Sequence, residues 1–178
     1  VVSREYFSDE RLAEHHFRSF NNFLRRGMQE VVDEKATIET DIGDKEGQEP
    51  VYVELGDVRM VTPRVREADG SEELLYPQEA RLRNITYSAP VFMEMSIVRG
   101  GEEEPETVVD STETKVGRMP VMVGSTNCNM AEFTDEELID IGEDPVDPGG
   151  YFIVNGSERV LMTSEDLAPN KILAEYDS

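Results

Sequence analysis

Cysteine, lysine and long apolar runs are scarce in this chain of 178 residues, and each scarcity excludes a class of protein or site. Cys128 is the only cysteine, so an internal disulfide and a zinc site made of several thiolates are excluded. No apolar run approaches the roughly 18 residues that a transmembrane helix needs. No basic stretch precedes an apolar one, as it would in a secretory signal. We therefore expect no membrane partner and a cytoplasmic location.

Basic residues are also few, and acidic residues dominate the charge. The chain has 39 Asp and Glu against 13 Arg and 4 Lys, which gives a formal net charge of -22. Such a composition suits a cytoplasm at molar salt, because the Debye length there is about 3 Å and neighbouring carboxylates repel weakly. The alternative is an acidic protein built for a basic partner, such as a DNA mimic. A mimic would concentrate its acids on one face, whereas these lie all along the chain, which favours salt adaptation.

The first element that the pattern predicts is a long helix near the N-terminus. Ser8 is an N-cap candidate, and apolar residues then recur at helical spacing to about Glu34. The helix is expected to be continuous or broken once. Its apolar stripe is interpreted as core. His15 and His16 are adjacent and point about 100° apart on a helix, so a shared metal site is rejected.

Turn residues between alternating apolar runs predict antiparallel hairpins. Residues 51–55 and 58–61 flank Gly56-Asp57, and Asp69-Gly70 marks a turn within residues 66–73. Further strands are expected over residues 85–98 and 115–123.

Two short helices complete the expected fold. Pro77 suits the first position of one, and Thr134 with Glu137 suits the capping box of the other. The fold class is therefore α+β, with a long N-terminal helix followed by antiparallel β-hairpins and short helices.

Motifs of a self-contained active site are missing from the sequence. There is no phosphate-binding loop, no dinucleotide-binding motif and no zinc-protease motif. Aspartates spaced to grip a polymerase magnesium are also absent, and the acids at 135–137 are interpreted as a solvated helix face. We therefore expect no catalytic residue, no metal ligand and no cofactor in this segment.

Three motifs resemble signatures of the second-largest (B-type or beta) subunit of archaeal and eukaryotic RNA polymerases. They read YPQEARLRNITY at residues 76–87, GRMPVM at 117–122 with Asn127-Cys128 behind it, and DPGGYFIVNGSERV at 147–160. The resemblance runs over essentially the whole chain, in the family's order, and the acid excess suggests a haloarchaeal member.

The resemblance implies that residues 1–178 are the protrusion region, an α+β module on the upstream wall of the DNA cleft. Because the chain begins with Val1 and not Met, we expect it to lack its natural start. The rest of the subunit is expected to follow Ser178.

The implied function is that of a non-catalytic part of a DNA-directed RNA polymerase, a nucleotidyltransferase whose magnesium is bound by the largest subunit. The implied partners are the other polymerase subunits, upstream DNA, the RNA–DNA hybrid and general initiation factors. The rival hypothesis is a free-standing acidic binding module, either a DNA mimic or an inhibitor.

Arg81 and Arg83 are candidates for facing nucleic acid. If residues 81–83 are extended, both arginines point to one side, where they can contact phosphate, while Leu82 points to the core. The alternative is that each arginine pairs with a neighbouring acid.

Arg159 is the third candidate, since the resemblance places it toward the RNA–DNA hybrid. An ion pair with Glu158 or another acid is the alternative. Asn155 and Gly156 are expected to be structural, because a type I′ turn between two strands needs positive φ at both positions.

Overall fold

A computed structural model describes residues 13–40, 51–99, 107–162 and 164–166. The predicted N-cap Ser8 and the loops at 41–50 and 100–106 lie outside the described residues. In chain order the elements are α1 (Glu14–Asn22), a π-helical turn (Phe23–Gly27), α2 (Met28–Asp33), β1 (Thr37–Glu39), β2 (Val51–Met60), β3 (Arg64–Arg66), β4 (Glu72–Leu74), α3 (Pro77–Leu82), β5 (Ser88–Arg99), β6 (Thr107–Pro120), α4 (Asp135–Asp140), β7 (Phe152–Val154) and β8 (Ser157–Arg159). Helices mixed with antiparallel strands agree with the predicted α+β class.

The predicted long helix is present and is interrupted once. α1, the π-helical turn and α2 follow one another without a gap from Glu14 to Asp33. Gly27 ends the turn, and a Cβ at this position would lie 2.8 Å from the ring of Phe23. On the inner side, the rings of Phe20 and Phe152 meet edge to face with centroids 5.3 Å apart. Phe20 is therefore core, with Phe17 and Leu24 packed against it. Phe23 and Val31 are exposed, so the predicted core stripe is present only in part.

The main sheet has four antiparallel strands in the order β1-β2-β5-β6. The hairpin predicted at Gly56-Asp57 is wrong, because β2 continues through these two residues and pairs with β5 on both sides of them. Gly56 and Asp57 instead form a β-bulge, in which two residues face the single Glu94.

A side chain from α2 completes this bulge. Gln29 donates from Nε2 to the carbonyl oxygen of Gly56 at 3.3 Å. The Oε1 of Gln29 accepts a hydrogen bond from the backbone N–H of Val58 at 3.0 Å. The amide thus satisfies backbone groups near the irregularity in the ladder, so the strand continues without reversing.

The strands expected over residues 85–98 and 115–123 are present with different bounds, as β5 and β6. Three other local signals are confirmed. Gly70 has a φ of +89° in the turn between β3 and β4, and Pro77 opens α3. Thr134 caps α4, where both hydrogen bonds of the capping box with Glu137 are present.

The core lies where the three motif segments meet. Three backbone hydrogen bonds of 2.8–3.0 Å join these segments. The N–H of Tyr87 donates to the carbonyl oxygen of Ile153, the N–H of Val121 to the carbonyl oxygen of Tyr87, and the N–H of Val123 to the carbonyl oxygen of Tyr151. The buried side chains of this core are Phe20, Leu75, Ala80, Tyr87, Ala89, Val121, Met122, Val123, Cys128, Phe152 and Ile153. Segments that are far apart in sequence therefore form one packed unit.

Tyr87 brings a hydroxyl into this core. The hydroxyl accepts a hydrogen bond from the backbone N–H of Asn129 at 2.9 Å and lies 3.3 Å from Sγ of Cys128. Burial, with the neighbouring thiol, raises the pKa of Tyr87. Cys128 is thus a buried packing residue.

Candidate functional site

Arg81 and Arg83 lie at the end of a helix, so residues 81–83 do not meet the condition of an extended conformation that would place both arginines on one side. α3 ends at Leu82, and Arg83 caps it with a φ of -87° and a ψ of 0°. Leu82 is 74% exposed and does not point to the core. Helical spacing turns each successive side chain by about 100°, so the two arginines reach different neighbours.

The guanidinium of Arg81 contacts four side chains by hydrogen bonds. Its Nε donates to Oε1 of Glu158 at 3.0 Å, and its Nη1 donates to Oε2 of Glu143 at 3.2 Å and to Oε1 of Gln78 at 3.3 Å. Its Nη2 donates to the hydroxyl of Tyr151. Apart from Gln78, which lies on α3 itself, these partners lie 62 to 77 positions later in the chain, so Arg81 ties α3 to β8 and to the segment that leads into β7.

Tyr151 extends this arrangement to Asp147 in the turn before β7. The hydroxyl accepts from Arg81 and donates to Oδ2 of Asp147, which lies 3.6 Å from Nη2 of Arg81. Burial raises the pKa of Tyr151, and its hydrogen bond to the Asp147 carboxylate raises it further. The tyrosine is therefore a neutral bridge between a cation and an anion.

Glu143 is the most deeply buried acid of this network, with 5% of its side chain exposed. Its Oε1 accepts from the backbone N–H of Gln78, in the first turn of α3, at 2.5 Å. Burial lowers the pKa of Arg81, but Tyr151, Glu143 and Glu158 outweigh burial and leave that pKa above its ordinary value. We call Arg81, Glu143, Asp147, Tyr151 and Glu158 the Arg81 network.

Arg83 is paired more superficially. Its Nη1 donates to Oε1 of Glu67 and to Oε1 of Glu79, both at 2.6 Å, and 37% of its side chain is exposed. These hydrogen bonds, Glu67 first, raise the pKa of Arg83. Both arginines thus pair with acids, which was the alternative to phosphate contact. Whether either also faces nucleic acid stays a prediction.

Arg159 lies on β8 opposite Phe152 and is exposed. Among the described residues, no ion pair or side-chain hydrogen bond engages its guanidinium. Its neighbour Glu158 points to the other face of the strand and pairs with Arg81 instead. Of the three predicted arginines, Arg159 is thus the one whose charge has no acid partner in the described part of the chain.

The turn at Asn155-Gly156 connects β7 to β8, with φ values of +50° and +74° as a type I′ turn requires. The backbone N–H of Gly156 donates to the carbonyl oxygen of Ile85 at 3.1 Å. A Cβ on Gly156 would lie 2.8 Å from Cα of Asn84 and 3.1 Å from the carbonyl oxygen of Arg81. The hairpin tip therefore packs on the end of α3, beside the Arg81 network.

A basic surface over α1 and the π-helical turn was not predicted from the sequence. Residues 15–29 contain three arginines and two histidines but no acid, in a chain with 39 acids. Arg18 and Arg25 line a groove of about 1110 Å³ beside the loop at Thr126. Glu14 is the one acid among the described residues that line it, and it pairs with Arg18 at 3.0 Å. The run without acids was the signal that could have revealed this face.

Neither a metal centre nor a membrane helix is found in the part of the chain that the structure describes. No group of three or more His, Cys, Asp or Glu side chains there is arranged to hold a metal ion. No helix in that part is long and apolar enough to span a bilayer. The rings of His15 and His16 lie with centroids 4.0 Å apart, and burial together with His15 lowers the pKa of His16.

Comparison with known proteins gives a consistent result along the whole chain. The family model described as RNA polymerase beta subunit matches residues 11–174. The DNA-directed RNA polymerase subunit Rpo2N of Halobacterium salinarum is 83% identical over 177 residues, which are 99% of this chain and 34% of that protein. Subunit Rpo2 of Saccharolobus solfataricus is 45% identical over 98% of this chain and 14% of its own length. Subunit Rpo2N of Methanocaldococcus jannaschii is 44% identical over 96% of this chain and 33% of its own length.

The chain thus spans 34% or less of each of these relatives. The resemblance of its three motifs is confirmed, and so is its similarity to a haloarchaeal protein. The chain belongs to the RNA polymerase beta subunit family, as a segment from the N-terminal part of the second-largest subunit.

Proposed function

We propose that this chain forms a non-catalytic part of the DNA cleft in a DNA-directed RNA polymerase, the protrusion on its upstream wall. The observation that carries the proposal is the family match over residues 11–174, with relatives named as polymerase subunits. The same match disfavours the free-standing acidic module, which would have no reason to keep all three motifs in order. A role in transcription would place the chain in the cytoplasm, on the genome.

The proposed part in catalysis is structural support. The Arg81 network and the packed core join the three motif segments into one rigid unit, and a rigid wall positions nucleic acid and neighbouring subunits reproducibly. No residue of this chain is proposed to hold the catalytic magnesium, which would belong to the largest subunit.

The proposed nucleic-acid surface has two separate parts, each with arginines that are not embedded among acids. Arg159 is exposed without an acid partner among the described residues, and Arg18 and Arg25 line a groove nearly free of acids. Arginine suits phosphate because its planar donors match phosphate oxygens. At molar salt such contacts add little affinity, so the assembled complex, and not this surface alone, would hold the upstream DNA and the RNA–DNA hybrid.

The other proposed partners are the remaining polymerase subunits and general initiation factors. Photo-crosslinking in the assembled enzyme tests the whole proposal. Photoreactive nucleotides are placed in the upstream duplex or in the hybrid of a stalled elongation complex, and labelled peptides are identified by mass spectrometry. We expect peptides containing Arg159, Arg18 or Arg25 to be labelled. Labelling confined to other parts of the polymerase would refute the proposed contacts, and failure of the chain to co-purify with polymerase would refute the assignment to the complex.

A further inference from the structure

The turn between β7 and β8 contains a chemically labile pair of residues. Asn155 is the only asparagine in the sequence that is followed by glycine. Asparagine is among the least durable side chains in proteins, and a following glycine increases its lability because no Cβ hinders the approach of the next backbone nitrogen. Asn155 is also exposed, so water reaches it. The hairpin therefore combines a reactive sequence with access to solvent.

The reaction open to this pair is deamidation by water. The backbone nitrogen of Gly156 loses its proton and forms a bond to Cγ of Asn155, while the side-chain amide nitrogen leaves with that proton as ammonia. Water then opens the resulting succinimide ring at either carbonyl carbon. Opening at Cγ gives Asp at position 155. Opening at the backbone carbonyl gives isoaspartate, in which the main chain runs through the former side chain and is lengthened by a methylene group.

Thr86 holds the side-chain amide of Asn155 away from the nitrogen that would attack it. The backbone N–H of Asn155 donates to Oγ1 of Thr86 at 3.1 Å, and this hydroxyl donates to Oδ1 of Asn155 at 3.3 Å. One hydroxyl thus draws the amide back toward the N–H of its own residue. The nitrogen of Gly156 lies on the other, C-terminal side of residue 155.

The backbone of Gly156 is held in place independently of Thr86. Its N–H donates to the carbonyl oxygen of Ile85 at 3.1 Å, so the proton that must leave is engaged in a hydrogen bond. The Cα of Asn84 and the carbonyl oxygen of Arg81 would lie 2.8 Å and 3.1 Å from a Cβ at position 156, which leaves little room for the turn to rotate. Ring closure therefore requires the hairpin tip to separate from the end of α3 by local unfolding.

We propose that Asn155 is a latent deamidation site, and that the hydroxyl of Thr86 and the packing of the hairpin on α3 keep it unreactive. Formation of isoaspartate in an opened hairpin would be irreversible damage, because the longer main chain no longer fits against Asn84. The β8 strand, which carries Arg159, would then lose its support at the end of α3. The proposal rests on the hairpin geometry and holds whether or not Arg159 contacts nucleic acid.

Deamidation rates in the assembled polymerase test this proposal. Enzymes with the wild-type full-length subunit, Thr86→Val or Thr86→Ser are incubated in molar potassium chloride at mildly alkaline pH, and a parallel set is unfolded in urea. Digestion at acidic pH and mass spectrometry then follow Asp and isoaspartate at position 155 over time. Thr112→Val is the matched control, because Thr112 is exposed on β6 opposite Met95 and makes no contact with the turn.

We expect the folded wild-type, Thr86→Ser and Thr112→Val enzymes to deamidate at position 155 roughly tenfold more slowly than their unfolded forms. Folded Thr86→Val should react roughly fivefold faster than folded wild type, as the loss of one net hydrogen bond implies, and at the wild-type rate in urea. Equal rates for folded Thr86→Val and folded wild type would overturn the role of Thr86. Equal rates for folded and unfolded wild type would overturn the whole proposal, and that comparison needs no variant to assemble.

Discussion

Gly156 packs directly on Asn84, across the junction between the β7–β8 hairpin and the end of α3. Both residues have positive φ, +74° and +53°, and a Cβ on Gly156 would come within 2.8 Å of Cα of Asn84. Two tight backbone turns thus fit together only because one of them carries no side chain.

The first prediction concerns this contact. Gly156→Val should lower the free energy of unfolding by about 1–3 kcal/mol through backbone strain, with a further loss from the clash at Asn84. Gly142→Val is the matched control, because Gly142 also has positive φ, at +82°, but has open space around its Cβ position. Urea denaturation should show a larger loss for Gly156→Val. Equal losses would mean that the packing on Asn84 contributes nothing.

The second prediction concerns the Arg81 network. Arg81→Met would leave the buried carboxylate of Glu143 without its cation. We therefore expect the free energy of unfolding to fall by about 2 kcal/mol. This is below the roughly 3–5 kcal/mol of a fully buried pair, because a fifth of the Arg81 side chain stays exposed. Arg83→Met is the control, since its pairs are solvent-exposed and should matter little. A loss at Arg83 as large as that at Arg81 would contradict the ranking.

The third prediction concerns alkaline pH. Burial raises the pKa of Tyr87 and Tyr151 above the ordinary value near 10. Unfolding releases these phenols, which then ionise, so the stability they contribute is complete below about pH 10 and falls as pH rises above it. Denaturation measured from neutral to strongly alkaline pH should show this decline, and Tyr151→Phe should make it shallower. Ultraviolet titration of the folded chain would contradict the prediction if both phenols ionised at the ordinary pKa.

The fourth prediction concerns salt. With a formal charge of -22, the folded chain holds its carboxylates closer together than the unfolded chain does. The Debye length falls from about 8 Å at 0.15 M salt to about 3 Å at 1 M, which removes most of the repulsion. Thermal melts across a potassium chloride series should therefore show a clear rise in melting temperature. A flat or falling series would rule out salt adaptation as the reason for the acid excess.

The fifth prediction concerns binding and activity of the isolated chain. The same negative charge should prevent tight DNA binding at low salt, where most DNA-binding proteins bind best. Strong binding in a low-salt titration would show that Arg159 or the three arginines within residues 15–29 override the net charge. The isolated chain should also incorporate no nucleotide when given template, magnesium and all four triphosphates. Templated synthesis by the pure chain would show that this chain itself carries catalytic residues.

The sequence by itself determined the features that depend on a few neighbouring residues. Positive φ at Gly156 and Gly70, the start of α3 at Pro77 and the capping box of Thr134 all follow from local backbone chemistry. The motifs were also sufficient to identify the family, because long ordered signatures rarely arise by chance.

Only the tertiary structure decided the features that join distant residues. Gly56 lies in a bulge and not in a turn, since Gln29, 27 positions earlier, satisfies its backbone. Arg81 is held by Glu143 and Glu158, which lie 62 and 77 positions away. Local spacing contains no information about which acid among 39 will lie within hydrogen-bond distance of a given arginine. That choice is made by the packing of α3 against β7 and β8, which also turned Leu82 outward and left Arg159 without an acid partner among the described residues.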